Sequence, residues 1–201
     1  MTDTTTARPM RPTHHDDDPP VRGIGHLRHP VVSGGLIGVI GGGAFLFGGI
    51  AGLPAEHQGT LRGGAIALIG FTLVVVLLRR RVLPTVPPPA RGALRVYGIA
   101  VVTMLALLPV TRLVALALDA PTAQIALVAA VVGAHFLPFA RAFGAPVFRW
   151  IGGSMLVLGL VGALAAMLRV PAAGPAGAAA AGAAMLLIVA GQALRQGAPA
   201  P

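Results

Sequence analysis

The chain has no cysteine and no lysine, and charged residues of either sign are scarce. Only 10% of its 201 residues are charged, whereas about a quarter is usual for soluble domains. The absence of cysteine excludes disulfides, thiolate metal sites and cysteine nucleophiles. What remains is 55% hydrophobic, which predicts a protein whose solvent is the lipid bilayer.

Acidic residues are few as well, since six of them stand against fifteen arginines and leave a net charge of +9. In a soluble protein this excess would indicate a nucleic-acid partner. Here the arginines lie in short segments between apolar runs and are not interleaved with aromatic residues. The pattern therefore indicates that the arginines determine how the chain is oriented in a membrane. We expect the lipid bilayer as its partner and expect no nucleic acid.

Six apolar runs are each long enough to cross a hydrocarbon core of about 30 Å. They predict an all-α, polytopic membrane helix bundle over residues 31–196. The predicted spans are about 32–53, 61–78, 96–118, 121–137, 150–168 and 175–194. Residues 1–30 are polar and predict a disordered tail, and residues 197–201 form a short second tail.

The segment from Arg79 to Arg95 gives the orientation, because it contains five arginines and four prolines between two apolar runs. Alternation then puts twelve of the fifteen arginines on one side of the membrane. Arginine-rich short loops stay in the cytoplasm, so both termini are expected to be cytoplasmic. Tyr97 and Trp150 fall at the same interface, where amphipathic rings prefer to lie. The expected location is the cell membrane, as a multi-pass protein.

Glycine is concentrated in the first span. Gly34, Gly38 and Gly42 follow one another at intervals of four, as do Gly48 and Gly52. Small residues at this spacing allow two helix backbones to approach closely in lipid. We expect this helix to pack tightly at the centre of the bundle or at a subunit interface.

Arg112 is one of two ionisable residues expected inside a span. The third span either stops at Pro109, which leaves it too short to cross, or continues to Leu118 with Arg112 inside. Asp119 followed by Pro121 is typical of a helix start, which favours the longer helix. Arg112 then either reaches the outer headgroups with Asp119 as its partner, or binds an anionic substrate or lipid headgroup there.

His135 is the second ionisable residue, close to the end of the fourth span. Its imidazole could bond a carbonyl freed by a helix break at Pro138, or it could relay protons. A metal site would need further ligands, and no second His, Asp or Glu is expected at that depth. We therefore predict no metal and no cofactor.

The run Gly133-x-His135-Phe136-Leu137-Pro138-x-Ala140, with Gly152 opening the next helix, resembles a motif of small bacterial polytopic membrane proteins that have no assigned activity. The resemblance covers about twenty residues of the chain. It implies that His135, Pro138 and Arg141 form a shared structural or functional feature, and it implies no reaction.

Three kinds of function remain open. A small transporter or permease is favoured by the six spans and by the prolines near Arg112 and His135. A structural or assembly partner in a membrane complex, as a homo-oligomer or with another membrane protein, is the alternative. An intramembrane enzyme comes third, because Ser154 would have to meet His135 and no orienting acid is evident. No catalytic residue is predicted.

Overall fold

The computed structural model describes residues 21–83 and 89–196. This part of the chain contains six helices that are long and apolar enough to cross a membrane, so the predicted all-α bundle is confirmed. They are α1 (Pro30–Ala51), α2 (Ala55–Leu77), α3 (Ala93–Ala117), α4 (Gln124–Ala142), α5 (Val147–Met167) and α6 (Ala173–Arg195). Short 3-10 helices occupy Gly23–His26 and Pro121–Ala123, and strands β1 (Val21–Arg22) and β2 (Arg80–Arg81) form one antiparallel pair.

Four helices make the centre of the bundle and one helix lies on each flank. α4 packs along α5, α5 along α6, and α6 along α1. On one flank α2 packs against α1 and α6, and on the other α3 packs chiefly against α4. The segment that joins α2 to α3 therefore connects opposite flanks of the bundle.

The interior is made mostly of small residues. Alanine dominates the buried apolar positions, and the largest fully buried side chains include Ile50, Met155 and Leu186. Large apolar side chains instead cover the outer faces of the flanking helices, as Ile66 and Leu113 do at 64% exposure each. Lipid supplies no hydrophobic drive between helices, so close van der Waals contact of small residues has to stabilise the centre.

One end of the bundle carries most of the described arginines, and we call it the arginine-rich end. It comprises the starts of α1, α3 and α5 and the ends of α2, α4 and α6. The β1–β2 pair lies there, and the Ala90 N–H donates to the Ala142 carbonyl at 3.2 Å. Both described acidic residues, Glu56 and Asp119, belong to the opposite end.

Two helices extend beyond their predicted limits. α2 begins at Ala55 rather than near Leu61, because its first turns are polar and were left out of the apolar run. Gln58 stabilises this start by donating to the Leu53 carbonyl at 2.8 Å. α4 continues through Pro138 to Ala142, although the sequence predicted an end at residue 137. Proline inside a helix costs one backbone bond, and packed membrane helices tolerate this cost.

α3 runs unbroken from Ala93 to Ala117, with Pro109 and Arg112 inside it, which is the longer of the two alternatives. The segment before α1 also differs from the predicted tail, because residues 21–26 form β1 and a 3-10 helix. The predicted disorder of residues 1–20, and the short tail at 197–201, lie outside the described residues.

The helices α3 and α5 end in the same way. Asp119 and Arg169 have φ angles of 49° and 70°, in the left-handed region that favours glycine. The Ala120 N–H then donates a hydrogen bond to the Ala115 carbonyl at 2.9 Å, and the Val170 N–H donates to the Ala165 carbonyl at 3.1 Å. This is the Schellman pattern of helix termination. The two turns have related sequences, L-D-A-P-T-A at 118–123 and L-R-V-P-A-A at 168–173.

Candidate functional site

The α1–α6 interface shows which of the predicted packing glycines lie between helices. A Cβ at Gly38, Gly42 or Gly52 would approach α6 side-chain atoms to 2.8–2.9 Å. Gly48 instead faces Ile125 of α4 at 3.1 Å. Gly34 is exposed, and no atom lies within 4 Å of its Cβ position, so this glycine does not pack against a described helix.

The closest approach in this interface is at a glycine outside the predicted set. A Cβ at Gly49 would lie 2.4 Å from the Ala179 nitrogen and 2.5 Å from the Pro175 oxygen. Gly182 of α6 is equally close to the α1 backbone. The glycines closest to α6, at positions 38, 42, 49 and 52, are spaced by four, seven and three residues, which fits the three-four alternation of coiled-coil-type packing. A search for intervals of four alone passes over Gly49.

The α4–α5 interface is built in the same manner. A Cβ at Gly133 would lie 2.5 Å from the Leu156 nitrogen, and one at Gly152 would lie 2.7 Å from the Gly133 oxygen. Gly133 of the G-x-H-F-L-P run and Gly152 of α5 thus bring two backbones together. Helices packed at this distance leave no passage between them.

A groove separates α3 from α4. Its volume is about 320 Å³, within the range of small-ligand sites. Val96, Ile99, Ala100, Thr103, Met104 and Leu107 line it from α3, and Val131, Ala134, His135 and Pro138 line it from α4. The lining is apolar except for Thr103 and His135, and the groove opens on the outer surface of the bundle.

His135 lies in this groove with one nitrogen satisfied. Its Nδ1 is within hydrogen-bonding distance of the Val132 carbonyl, and since a carbonyl only accepts, Nδ1 has to donate. The partner is therefore not the Ala134 carbonyl, which Pro138 deprives of its usual donor. In the neutral ring, Nε2 is then an acceptor, and it has no partner among the described residues.

Other hydroxyls in the spans are satisfied locally. Thr72 donates to the Leu68 carbonyl at 2.8 Å, and Thr111 donates to the Leu108 carbonyl at 2.7 Å. Thr103 differs, because its hydroxyl makes no hydrogen bond within residues 21–83 and 89–196. The groove thus presents two free polar atoms at a depth where unpaired polar groups are costly. Sequence reasoning missed Thr103, because a lone threonine in a span usually bonds its own helix.

A cluster of rings lies beside the groove at its arginine-rich end. Phe139 is its centre, 5% exposed. Its ring centroid lies 5.3 Å from Tyr97 of α3, 5.3 Å from His135 and 5.8 Å from Phe148 of α5. The stacked Tyr97–Phe139 pair therefore joins α3 to the central helices at this end.

The remaining predicted site residues lie elsewhere. Arg112 is exposed and makes no hydrogen bond or ion pair to any described residue. Asp119 pairs with Arg169 at 3.5 Å instead of with Arg112. Arg141 is exposed in the last turn of α4, one turn beyond Pro138. His135 thus lines the groove, Arg141 lies one turn beyond the lining residue Pro138, and Arg112 and Asp119 lie nearer the opposite end.

Ser154 does not contribute to this groove. Its hydroxyl donates to the Ile151 carbonyl of its own helix at 3.1 Å, and it is not among the lining residues. A second cavity of about 360 Å³ lies at the opposite end, between Gly52, the turn at 121–123 and Pro175. Its polar lining consists of Thr122 and Gln124, neither of which ionises.

Together these features define a multi-pass membrane protein whose described residues form six membrane-spanning helices, with a lateral groove between one flanking helix and the centre. Comparison of the chain with family models, curated proteins and solved structures gave no match. The resemblance of the His135 motif to bacterial membrane proteins stays a prediction.

Proposed function

We propose that the protein is a small transporter of the cell membrane whose substrate is an amphiphile that enters sideways from the bilayer. The observation that carries this proposal is the α3–α4 groove, which is open, apolar and furnished with two unpaired polar atoms. An apolar chain fits such a lining, and a polar group on the ligand would satisfy Thr103 or His135.

The packing of the central helices favours entry of the substrate from the lipid and not through a water-filled path. Their glycine contacts bring backbones together at Gly49, Gly133 and Gly159. The described spans place no carboxylate at mid-depth, and ion-coupled transport generally uses one. A substrate that reaches its site from the lipid needs no water-filled path.

The two helices that bound the groove also have the features needed for movement. Among the described helices, α3 and α4 are those with an internal proline, Pro109 and Pro138. Such prolines are the usual bending points of membrane helices. α3 packs chiefly against α4, so it can move away from the bundle without disrupting the α1–α6 or α4–α5 contacts.

The test is lipid transfer between leaflets in proteoliposomes, with a fluorescent phospholipid as probe and quenching of the outer leaflet as readout. Ala134→Phe fills the groove and should reduce the rate about tenfold or more, because the ligand and the new ring compete for one volume. Ala44→Phe places the same ring on the exposed face of α1 and should leave the rate unchanged. Transfer no faster than in empty liposomes, or equal rates for both variants, would refute the proposal.

We further infer that the arginine-rich end faces the cytoplasm, since most described arginines lie there. The chain has no cysteine, so single cysteines can report on each side without further changes. In intact cells, a membrane-impermeant maleimide should label Glu56→Cys and leave Arg91→Cys unlabelled until the cells are opened. The reverse pattern would invert the topology.

An assembly role is favoured by one separate feature. Gly59, Gly63, Ala67 and Gly70 form an exposed small-residue face on α2, and a Cβ at any of the three glycines would meet nothing within 4 Å. Such a face permits close approach of a further helix. Cross-linking through Gly63→Cys, compared with Ile66→Cys, would show whether a partner helix occupies it.

A further inference from the structure

Three arginines converge at the arginine-rich mouth of the α3–α4 groove. Arg95 precedes the lining residue Ile99 by four positions, so both lie on one face of α3. Arg141 follows the lining residue Pro138 by three positions on α4. The Ala90–Ala142 hydrogen bond brings the neighbouring Arg91 to the same place. All three arginines are exposed.

This mouth has no opposing charge within the described residues. Glu56 and Asp119 lie at the other end of the bundle, and Asp119 is paired with Arg169. Guanidinium groups bind phosphate oxygens through two parallel hydrogen bonds, which makes them suited to an anionic headgroup. A zwitterionic headgroup would also need an acceptor for its cation, and no described carboxylate lies near the mouth.

The length of the groove matches one leaflet. Its lining on α3 runs from Val96 to Leu107, which corresponds to about 16 Å at the rise of an α-helix. Half of a hydrocarbon core is about 15 Å. Tyr97 and the 71% exposed Trp150 lie near the mouth end of their helices, at the level where aromatic side chains meet headgroups.

We infer that the ligand of the groove is an anionic phospholipid of the leaflet at the arginine-rich end. One acyl chain lies along the groove between α3 and α4, and the phosphate lies among Arg91, Arg95 and Arg141. This inference rests on the proposed transport function and names its substrate class. His135, six residues before Arg141 on α4, faces the ester oxygens, and Thr103, eight residues beyond Arg95 on α3, lies deeper beside the middle of the chain.

Native mass spectrometry of the detergent-extracted full chain tests the inference, with phosphatidylglycerol and phosphatidylcholine added at equal concentration. Wild-type protein should retain one phosphatidylglycerol about tenfold more strongly than phosphatidylcholine. The double variant Arg95→Gln/Arg141→Gln should lose this preference, and Ala134→Phe should lose retention of both lipids. Arg195→Gln removes a positive charge at the same end but on α6, and should retain the wild-type preference. Unchanged thermal unfolding of each variant would show that loss of lipid is not loss of fold.

Two outcomes would overturn the inference: equal retention of both lipids by wild type, or an equal loss in Arg195→Gln, which would mean unspecific charge attraction. Lipid transfer separates this result from the transport proposal. If Ala134→Phe abolishes transfer while headgroup charge has no effect, the substrate class is wrong and the transport function stands. If phosphatidylglycerol binds as expected but Ala134→Phe transfers lipid normally, the site is a lipid-binding site and the transport function is wrong.

Discussion

Helix α4 packs against its two principal neighbours, α5 and α3, in opposite ways. Towards α5 it presents Gly133, and the two backbones come so close that a single Cβ would not fit. Towards α3 it presents Val131, His135 and Pro138, and a groove of about 320 Å³ remains. One helix thus separates a rigid contact from an open one. The difference indicates that the centre of the bundle is the fixed part and that α3 is the part free to respond to a ligand.

The largest effect is expected from breaking the rigid side. Gly49→Leu forces a side chain into the Pro175 and Ala179 backbone of α6, which cannot give way as a side chain can. We expect destabilisation of roughly 3 kcal/mol or more and loss of the monodisperse folded protein. Size-exclusion chromatography and thermal unfolding in detergent measure this. Gly34→Leu, about four turns earlier in the same helix and with nothing within 4 Å, is the control and should behave like wild type.

A smaller effect is expected at the ring cluster that joins α3 to the centre. Phe139→Ala removes the ring that stacks on Tyr97 and leaves a cavity, at a cost of roughly 3 kcal/mol. The loss should loosen α3 in particular, so hydrogen exchange should rise in α3 and remain slow in α5 and α6. Phe71→Ala, which truncates a half-exposed ring on α2, should leave both the stability and the hydrogen exchange of α3 unchanged. Uniformly faster exchange in all helices would contradict the division into a fixed centre and a movable flank.

The smallest effect concerns the two related turns, and it should be a gain. Arg169→Gly relieves a left-handed backbone that glycine adopts without strain, and should stabilise the protein by about 1 kcal/mol. The lost contact with Asp119 matters little, because both side chains are largely exposed. Asp119→Gly should gain less, since aspartate tolerates this conformation better than arginine. Thermal unfolding of the two single variants gives the order, and a larger gain at Asp119 would contradict it.

The sequence predicted the spans well because membrane thickness and the need for internal hydrogen bonding leave helices as the main solution. Helix ends were less predictable. The start of α2 is polar and the end of α4 passes through Pro138, and neither feature appears in an apolar run. Intervals of four found Gly38 and Gly42 but passed over Gly49, because the real spacing alternates between three and four.

The site was predictable only where a single residue was unusual for its depth. His135 stood out as an ionisable residue in a span, and it lines the groove, whereas Arg141 was named only through the resemblance of its motif and lies one turn beyond the lining residue Pro138. The pairing of Asp119 with Arg169 was not predictable, because the two residues lie fifty positions apart and meet only through the packing of two turns. The groove depends on how two helices approach each other, and residue identity alone does not determine that distance.

The pairing of α1 with α6 constrains how the protein is made. α1 leaves the ribosome before α6, which is its principal glycine-lined partner. Until α6 is synthesised, Gly42 and Gly49 face lipid or the insertion machinery, and the nascent bundle is incomplete. Truncation between the end of α5 and residue 173 therefore removes the partner of α1, and such chains should be targets for membrane quality-control proteases even though helices α1 to α5 can insert.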